Sequence, residues 1–318
     1  MDCVSKHGKG NGLYSINLKQ KTMKKTKITT ALFILGMGVS VCSFGQGLYL
    51  GIGGGYGFAA AKLGTSDHKG SNSTSGGTTT SSDTYTSRGI SFGKGINLGL
   101  YGGYMFNKNI GAELGIGYLI GSTTTITDEQ DNSSTSFGGT TSTDIRKTLY
   151  KGSMLRLVPS IRLQCGESKI HPYMVTGLIL GIAGKYTEEI QGTSTSTGVG
   201  ASSHTSEDLY TSNGGMSLGL HTALGVTYNV SDMLGIFVEL SGNYLNYAPS
   251  KTVYTTSTSD GKDNLASMTT SQKETDYSSS YTTTNVPTPG SPSMSSIIRM
   301  PFSSYGFNIG VHLTLGGK

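Results

Sequence analysis

The chain has 318 residues, of which 48 are glycine and 84 are serine or threonine; only 14% are charged and tryptophan is absent. Gly, Ser and Thr are poor helix formers, which excludes a helix-rich enzyme, and the glycines keep no period of three, which excludes collagen. The net charge of +5 belongs to residues 1–45, which hold seven lysines and one acid, Asp2; the 17 basic and 18 acidic groups that remain give a nucleic-acid partner nothing to bind.

In chain order, residues 1–22 show no periodicity and read as a misread start or an extension. Residues 23–45 read as a signal peptide. Lys24, Lys25 and Lys27 form a positive region, Ile28 to Val41 an apolar one, and Ser43-Phe44-Gly45 puts small residues at −3 and −1 of a cut before Gln46. The apolar stretch is too short for a membrane-spanning helix, which needs roughly 20 residues. Export with cleavage would remove Cys3 and Cys42 and leave Cys165 alone, so no intramolecular disulfide is expected.

From Leu48 onward, apolar residues recur at every second position, the strand period. Leu48, Leu50, Ile52, Tyr56 and Phe58 alternate with Tyr49, Gly51, Gly53, Gly55 and Gly57. Ile96, Leu98, Leu100, Tyr104 and Phe106 alternate with Gly95, Asn97, Gly99, Tyr101 and Gly103. Similar runs cover 110–118, 155–163, 216–228, 234–243 and 305–314, and 172–182 is apolar on both faces. Eight such segments, each about the length of a tilted membrane strand, predict a closed barrel over 46–318. The connections alternate: short at 107–109, 164–169 and 231–233, long at 61–93, 122–150, 183–213 and 246–302. The expected fold is therefore all-β: an eight-stranded antiparallel up-and-down transmembrane β-barrel with four long external loops. Runs such as Thr78-Thr79-Thr80-Ser81-Ser82 suggest loops that are mobile or only partly ordered; the alternative is that they pair as hairpins beyond the membrane, since Thr and Tyr favour strands.

The signal segment, the aromatic-glycine alternation of Tyr101-Gly102-Gly103-Tyr104 and the strand start Pro172-Tyr173 resemble the small outer-membrane barrels of the OmpA/OmpX/OmpW-like group. The resemblance implies a place in the bacterial outer membrane. It also implies contact with lipid and lipopolysaccharide, and assembly by the barrel assembly machinery. Pro159, inside a predicted strand, departs from the pattern.

The parity of the strands puts Glu113, Arg156, Arg162 and Glu239 on the inner face. Their two signs balance, and an unpaired interior charge is costly, so a polar network in the lumen is expected. The inward glycines either leave room for water or a slender ligand or relieve crowding. Gly215-Met216-Ser217-Leu218-Gly219 matches a nucleophile pattern, but it lies in an alternating strand with no helix after it. His68, His171, His204, His221 and His312 lack paired metal-ligand spacing, so no metal or other cofactor is expected. The functional expectation is a non-enzymatic surface protein serving envelope structure, adhesion or surface interaction; a narrow conduit for small hydrophobic molecules or ions is the alternative.

Overall fold

A computed structural model describes residues 47–135, 139–166, 169–198, 200–281 and 290–315. All of them fall in one compact unit, Phe44–Lys318. The expected extension over 1–22 and signal peptide over 23–45 lie outside the described residues.

Seventeen strands join in one sheet. They are β1 (Gly47–Ala59), β2 (Leu63–Ser75), β3 (Thr78–Ile90), β4 (Gly95–Met105), β5 (Ile110–Gly121), β6 (Thr124–Ser134), β7 (Thr140–Gln164), β8 (Ile170–Thr197) and β9 (Ser202–Asn213). There follow β10 (Ser217–Asn229), β11 (Leu234–Tyr247), β12 (Lys251–Ser259), β13 (Lys262–Asp263), β14 (Glu274–Ser278), β15 (Ser293–Ser296), β16 (Met300–Pro301) and β17 (Ser304–Leu315). A 3-10 turn, Leu265–Ser267, and a one-turn helix, Thr270–Lys273, link β13 to β14.

This architecture corrects the expected eight-stranded antiparallel barrel. The sheet is mixed, with β2 parallel to β6 and β14 parallel to β15, and it is not an evenly closed barrel. Three of the four segments expected to be mobile loops are built largely of strands, and the described part of the fourth, 246–302, holds the short strands β12 to β16. Thr and Tyr fit a pleated surface, and hydroxyl side chains bond across neighbouring strands. Thr74 and Thr79 lie 2.9 Å apart by their hydroxyls, Ser196 and Ser202 3.0 Å, and Thr275 and Ser293 2.8 Å. Judging order by buried apolar surface alone leaves out these bonds and the backbone ladders they accompany.

One run of antiparallel pairings within the sheet returns to its start, passing through β1, β4, β5, β7, β8, β10, β11 and β17. The alternating segments of the sequence lie in these strands. β7 and β8 continue beyond this circuit, at 25 and 28 residues, into an extension. There the neighbours run β3, β2, β6, β7, β8, β9, β12, β14, β15. Pro159 has a local consequence: the β7–β8 ladder passes from Leu157↔Leu180 to Ser160↔Gly177 and skips two residues, as a missing N–H requires.

The circuit has two unlike faces. Outward side chains are large, apolar and exposed, for example Ile52, Leu100, Ile116, Leu224 and Leu240. Inward side chains are glycine, aromatic, polar or, as at Leu119, Met154, Ile179 and Leu245, buried aliphatic.

Candidate functional site

The interior of the circuit is arranged in levels along the strands. Nearest the short connections lies a polar and aromatic level. Arg162, 2% exposed, reaches Glu113 at 3.4 Å, Thr227 Oγ1 at 3.2 Å and Gln164 Oε1 at 3.3 Å. Its guanidinium also lies 3.8 Å from the ring centroid of Tyr173. Tyr49 donates its hydroxyl to Glu113 at 2.9 Å and stacks on His312 at 4.9 Å. Tyr173 donates to Glu239 at 3.0 Å, and Asn308 Nδ2 donates to the other oxygen of Glu239 at 2.7 Å. A charged pair so enclosed is tolerable because nearly every donor and acceptor around it is matched.

Glycines seat the rings of this level. Gly51 pairs with Tyr101, Gly103 with Tyr49, Gly225 with Tyr173 and Gly310 with Phe237. A Cβ at any of the four would overlap the facing ring. Here the glycines make room for aromatic side chains rather than for a guest.

The far end of the interior is apolar. Phe92, Leu119, Met154, Ile179, Leu245 and Phe302 form one buried cluster. Phe92 and Phe302 stack at 5.5 Å, and backbone bonds from Phe92 to Pro301 and from Phe302 to Leu245, both 3.0 Å, hold them in place. Each such side chain contributes about 1.5–3 kcal/mol on burial.

Between these ends is a cavity of about 130 Å³, whose lining includes Asn97, Gly99, Gly117, Arg156, Glu239 and Asn308. Its glycines differ from those below: a Cβ at Gly99 or Gly117 would meet nothing closer than 3.7 Å. Gly117 pairs with Arg156 on one side, and Gly181 pairs with it on the other. Nη1 of Arg156 donates to Asn97 Oδ1 at 3.3 Å, whereas Nε and Nη2 are buried and meet no acceptor.

The four residues singled out from the sequence are thus divided. Glu113 and Arg162 form an ion pair. Glu239 joins them through Tyr173, which packs against Arg162. Arg156 stands apart, on a neutral amide. Sequence reasoning did not single out Tyr49, Tyr101, Tyr173, Asn97 or Asn308. A signal existed for four of them: Tyr49, Asn97, Tyr101 and Asn308 fall at the inward parity, among glycines, where a large or polar side chain must have a task.

Ser217, the serine of the nucleophile-like pattern, is buried at the start of β10 and points its hydroxyl at Met154 Sδ, 3.9 Å away. The His221 ring, four residues on and on the same face, bonds Asn243 at 2.8 Å. Neither geometry resembles an activated nucleophile.

The extension carries its own polar cluster. His68 stacks on Tyr85 at 4.6 Å and has Asp128 at 2.7 Å on one ring nitrogen and Asp83 at 3.1 Å on the other. Hydrogen bonds from those carboxylates, Asp128 first, raise its pKa. Asp67 accepts from the Thr127 backbone N–H at 3.0 Å and from Arg88, and its pKa is lowered by those bonds in that order. Compared with known proteins, the chain matches no family model, and no curated protein is similar to it in sequence.

Proposed function

We propose that the chain is a non-enzymatic outer-membrane protein that crosses the bilayer with the strands of its circuit. Its Ser/Thr-rich strand extension would stand outside, serving envelope structure, adhesion or surface interaction. One observation carries this reading. The outer face of the circuit is a field of mostly large apolar side chains, with Leu218 66%, Leu224 60% and Leu240 68% exposed, interrupted by the facing pair Thr176 and Thr222. Water-soluble monomers rarely expose contiguous apolar patches beyond a few hundred Å². Lipid chains make such a face favourable, and a run of pairings that returns on itself leaves no open edge in hydrocarbon. Phe106, Tyr118, Tyr228 and Tyr305 are exposed near the ends of that field, where aromatic rings suit an interface. Among the described residues no helix is long and apolar enough to cross a membrane. Lipid and lipopolysaccharide are the partners of the outer face in this reading, with assembly through the barrel assembly machinery. The resemblance to the OmpA/OmpX/OmpW-like group rests on the residues quoted above.

The conduit reading draws less support. A continuous path would have to pass both the Arg162 level and the Phe92–Phe302 cluster.

Site-directed spin labels in lipid vesicles test the membrane reading. On a background without other cysteines, Leu224→Cys is expected to be reached by oxygen and shielded from a polar relaxation agent. Thr195→Cys is expected to show the reverse. Equal access at both positions would reject the proposal.

A further inference from the structure

We infer that the cavity beside Arg156 is a binding site for one small carboxylate of formate or acetate size. Arg156 is 5% exposed and sits between two glycines: Gly117 leaves open space on one side, while Ser217 and Met154 fill the space beside Gly181 on the other. Its Nη1 is held by Asn97, which fixes the plane of the guanidinium. The two donors left over, Nε and Nη2, are both buried and both without an acceptor. They are also the side-on pair of the guanidinium, whose parallel N–H bonds match the two oxygens of a carboxylate. Leaving two charged donors unsatisfied in a covered site is costly, and a bidentate anion is the group that satisfies both.

Charge accounting points the same way. Among the described residues the other interior arginine, Arg162, has its carboxylate in Glu113. Glu239 is taken by Tyr173 and Asn308, both neutral donors. Arg156 alone has no anionic partner at hydrogen-bond distance. The cavity volume of about 130 Å³ is close to the roughly 150 Å³ that admits a benzene-sized guest in an engineered cavity. Formate and acetate are smaller than that. Glu113 and Glu239 also line the space and set the limit on charge: one monovalent anion is accommodated, a dianion is not.

The inference does not depend on the membrane reading, because the site is interior. It is tested by titrating the whole protein, in detergent micelles or without detergent if it proves water-soluble, with carbon-13-labelled acetate and following the carboxyl resonance. Saturable binding is expected, with acetamide, the neutral isostere, not competing. Arg156→Gln is expected to weaken binding about tenfold or more, with the far-ultraviolet circular dichroism of the protein unchanged. If the glutamine variant does not fold, Arg156→Lys keeps the charge and loses the fork. Acetate is then expected to bind more weakly, with chloride binding unaltered. Any of three results would overturn the assignment: no saturable binding to folded protein, equal binding by the folded Arg156→Gln protein, or chloride displacing acetate at equal concentration.

Discussion

Strand β7 passes through two regions that solve the same problem differently. Its second half, from Met154 to Leu163, lies in the circuit, where outward Leu155, Leu157 and Ile161 alternate with inward Arg156, Ser160 and Arg162. Its first half, from Thr140 to Lys147, lies in the extension, where both faces carry hydroxyls and charges. The backbone is the same; what holds it is not. The circuit is fixed from within, by a buried ion pair, rings seated on glycines and an apolar cluster. The extension is fixed by ladders and cross-strand hydroxyl pairs, with ion pairs near water that each contribute little. Stability is therefore expected to be uneven along a single strand, with the extension opening first.

The largest effect is expected where the circuit's interior is broken. Arg162→Met leaves Glu113 buried without its cation, and loss of one partner of a buried pair costs about 3–5 kcal/mol. Arg88→Met removes a comparable contact to Asp67 in the extension, yet the global urea midpoint is expected to stay where it is. Equal shifts for the two variants would erase the distinction between the regions. Next comes the outer face. Leu224→Arg is expected to cost about 2–4 kcal/mol in vesicles, as a cation at mid-bilayer depth does. Thr195→Arg, exposed on β8 in the extension, is expected to stay within about 0.5 kcal/mol. Reversible unfolding from vesicles in urea measures both.

A smaller contrast lies between two kinds of inward glycine. Gly103→Val drives a side chain into the Tyr49 ring, and overpacking of this kind costs about 1–3 kcal/mol. Gly99→Ala faces open cavity, and it is expected to be neutral or to stabilise by about 0.5 kcal/mol, since glycine inside a strand is itself unfavourable. The same unfolding measurement separates them.

These glycines also mark where reading the sequence stops. Period-2 alternation separated the outward Leu98 and Leu100 from the inward Asn97, Gly99 and Tyr101 because the side-chain period of a strand is fixed by its pleat. It also placed Glu113, Arg156, Arg162 and Glu239 on the inner face. Pairing register is a different quantity. That Gly51 lies opposite Tyr101, or that Arg156 is flanked by Gly117 and Gly181, depends on how strands slide against each other, and no single strand encodes it. Without register the two arginines look alike; with it, one has a carboxylate and the other a cavity. The bulge at the Leu155/Arg156 step against β8 shows the same limit, since one extra residue there re-sets the facing partners. In the extension the sequence leaves two readings open for another reason. Low hydrophobicity points to lack of order and the Thr and Tyr content to hairpins; the hairpins form, because Ser, Thr and Tyr strands can be held by lateral hydrogen bonds once long strands such as β7 and β8 supply a template.

The extension also carries pH-sensitive groups of its own. The pKa of His68 is raised by its bonds to Asp128 and Asp83, so the folded form holds its proton more tightly than the unfolded chain. Its contribution is complete below the ordinary histidine value of 6.5 and is lost as pH rises through the raised folded value. Asp67 and Asp260 behave oppositely. Backbone N–H groups of Thr127 and Thr205, then Arg88 and His204, hold their pKa values below the ordinary 3.8. Their contributions are complete above that value and fade as pH falls through the lowered folded values. The strands β2, β3 and β6 are thus expected to be best protected between about 4 and 6.5, the two ordinary values that bound the window. Amide hydrogen exchange, corrected for intrinsic rates, is expected to show their protection falling on the alkaline side while β4 and β5 stay constant. In His68→Gln that alkaline fall should vanish and the acid-side loss remain. A fall of the same size in β4 and β5 would mean that the two regions unfold as one and that the contrast within β7 is chemical only.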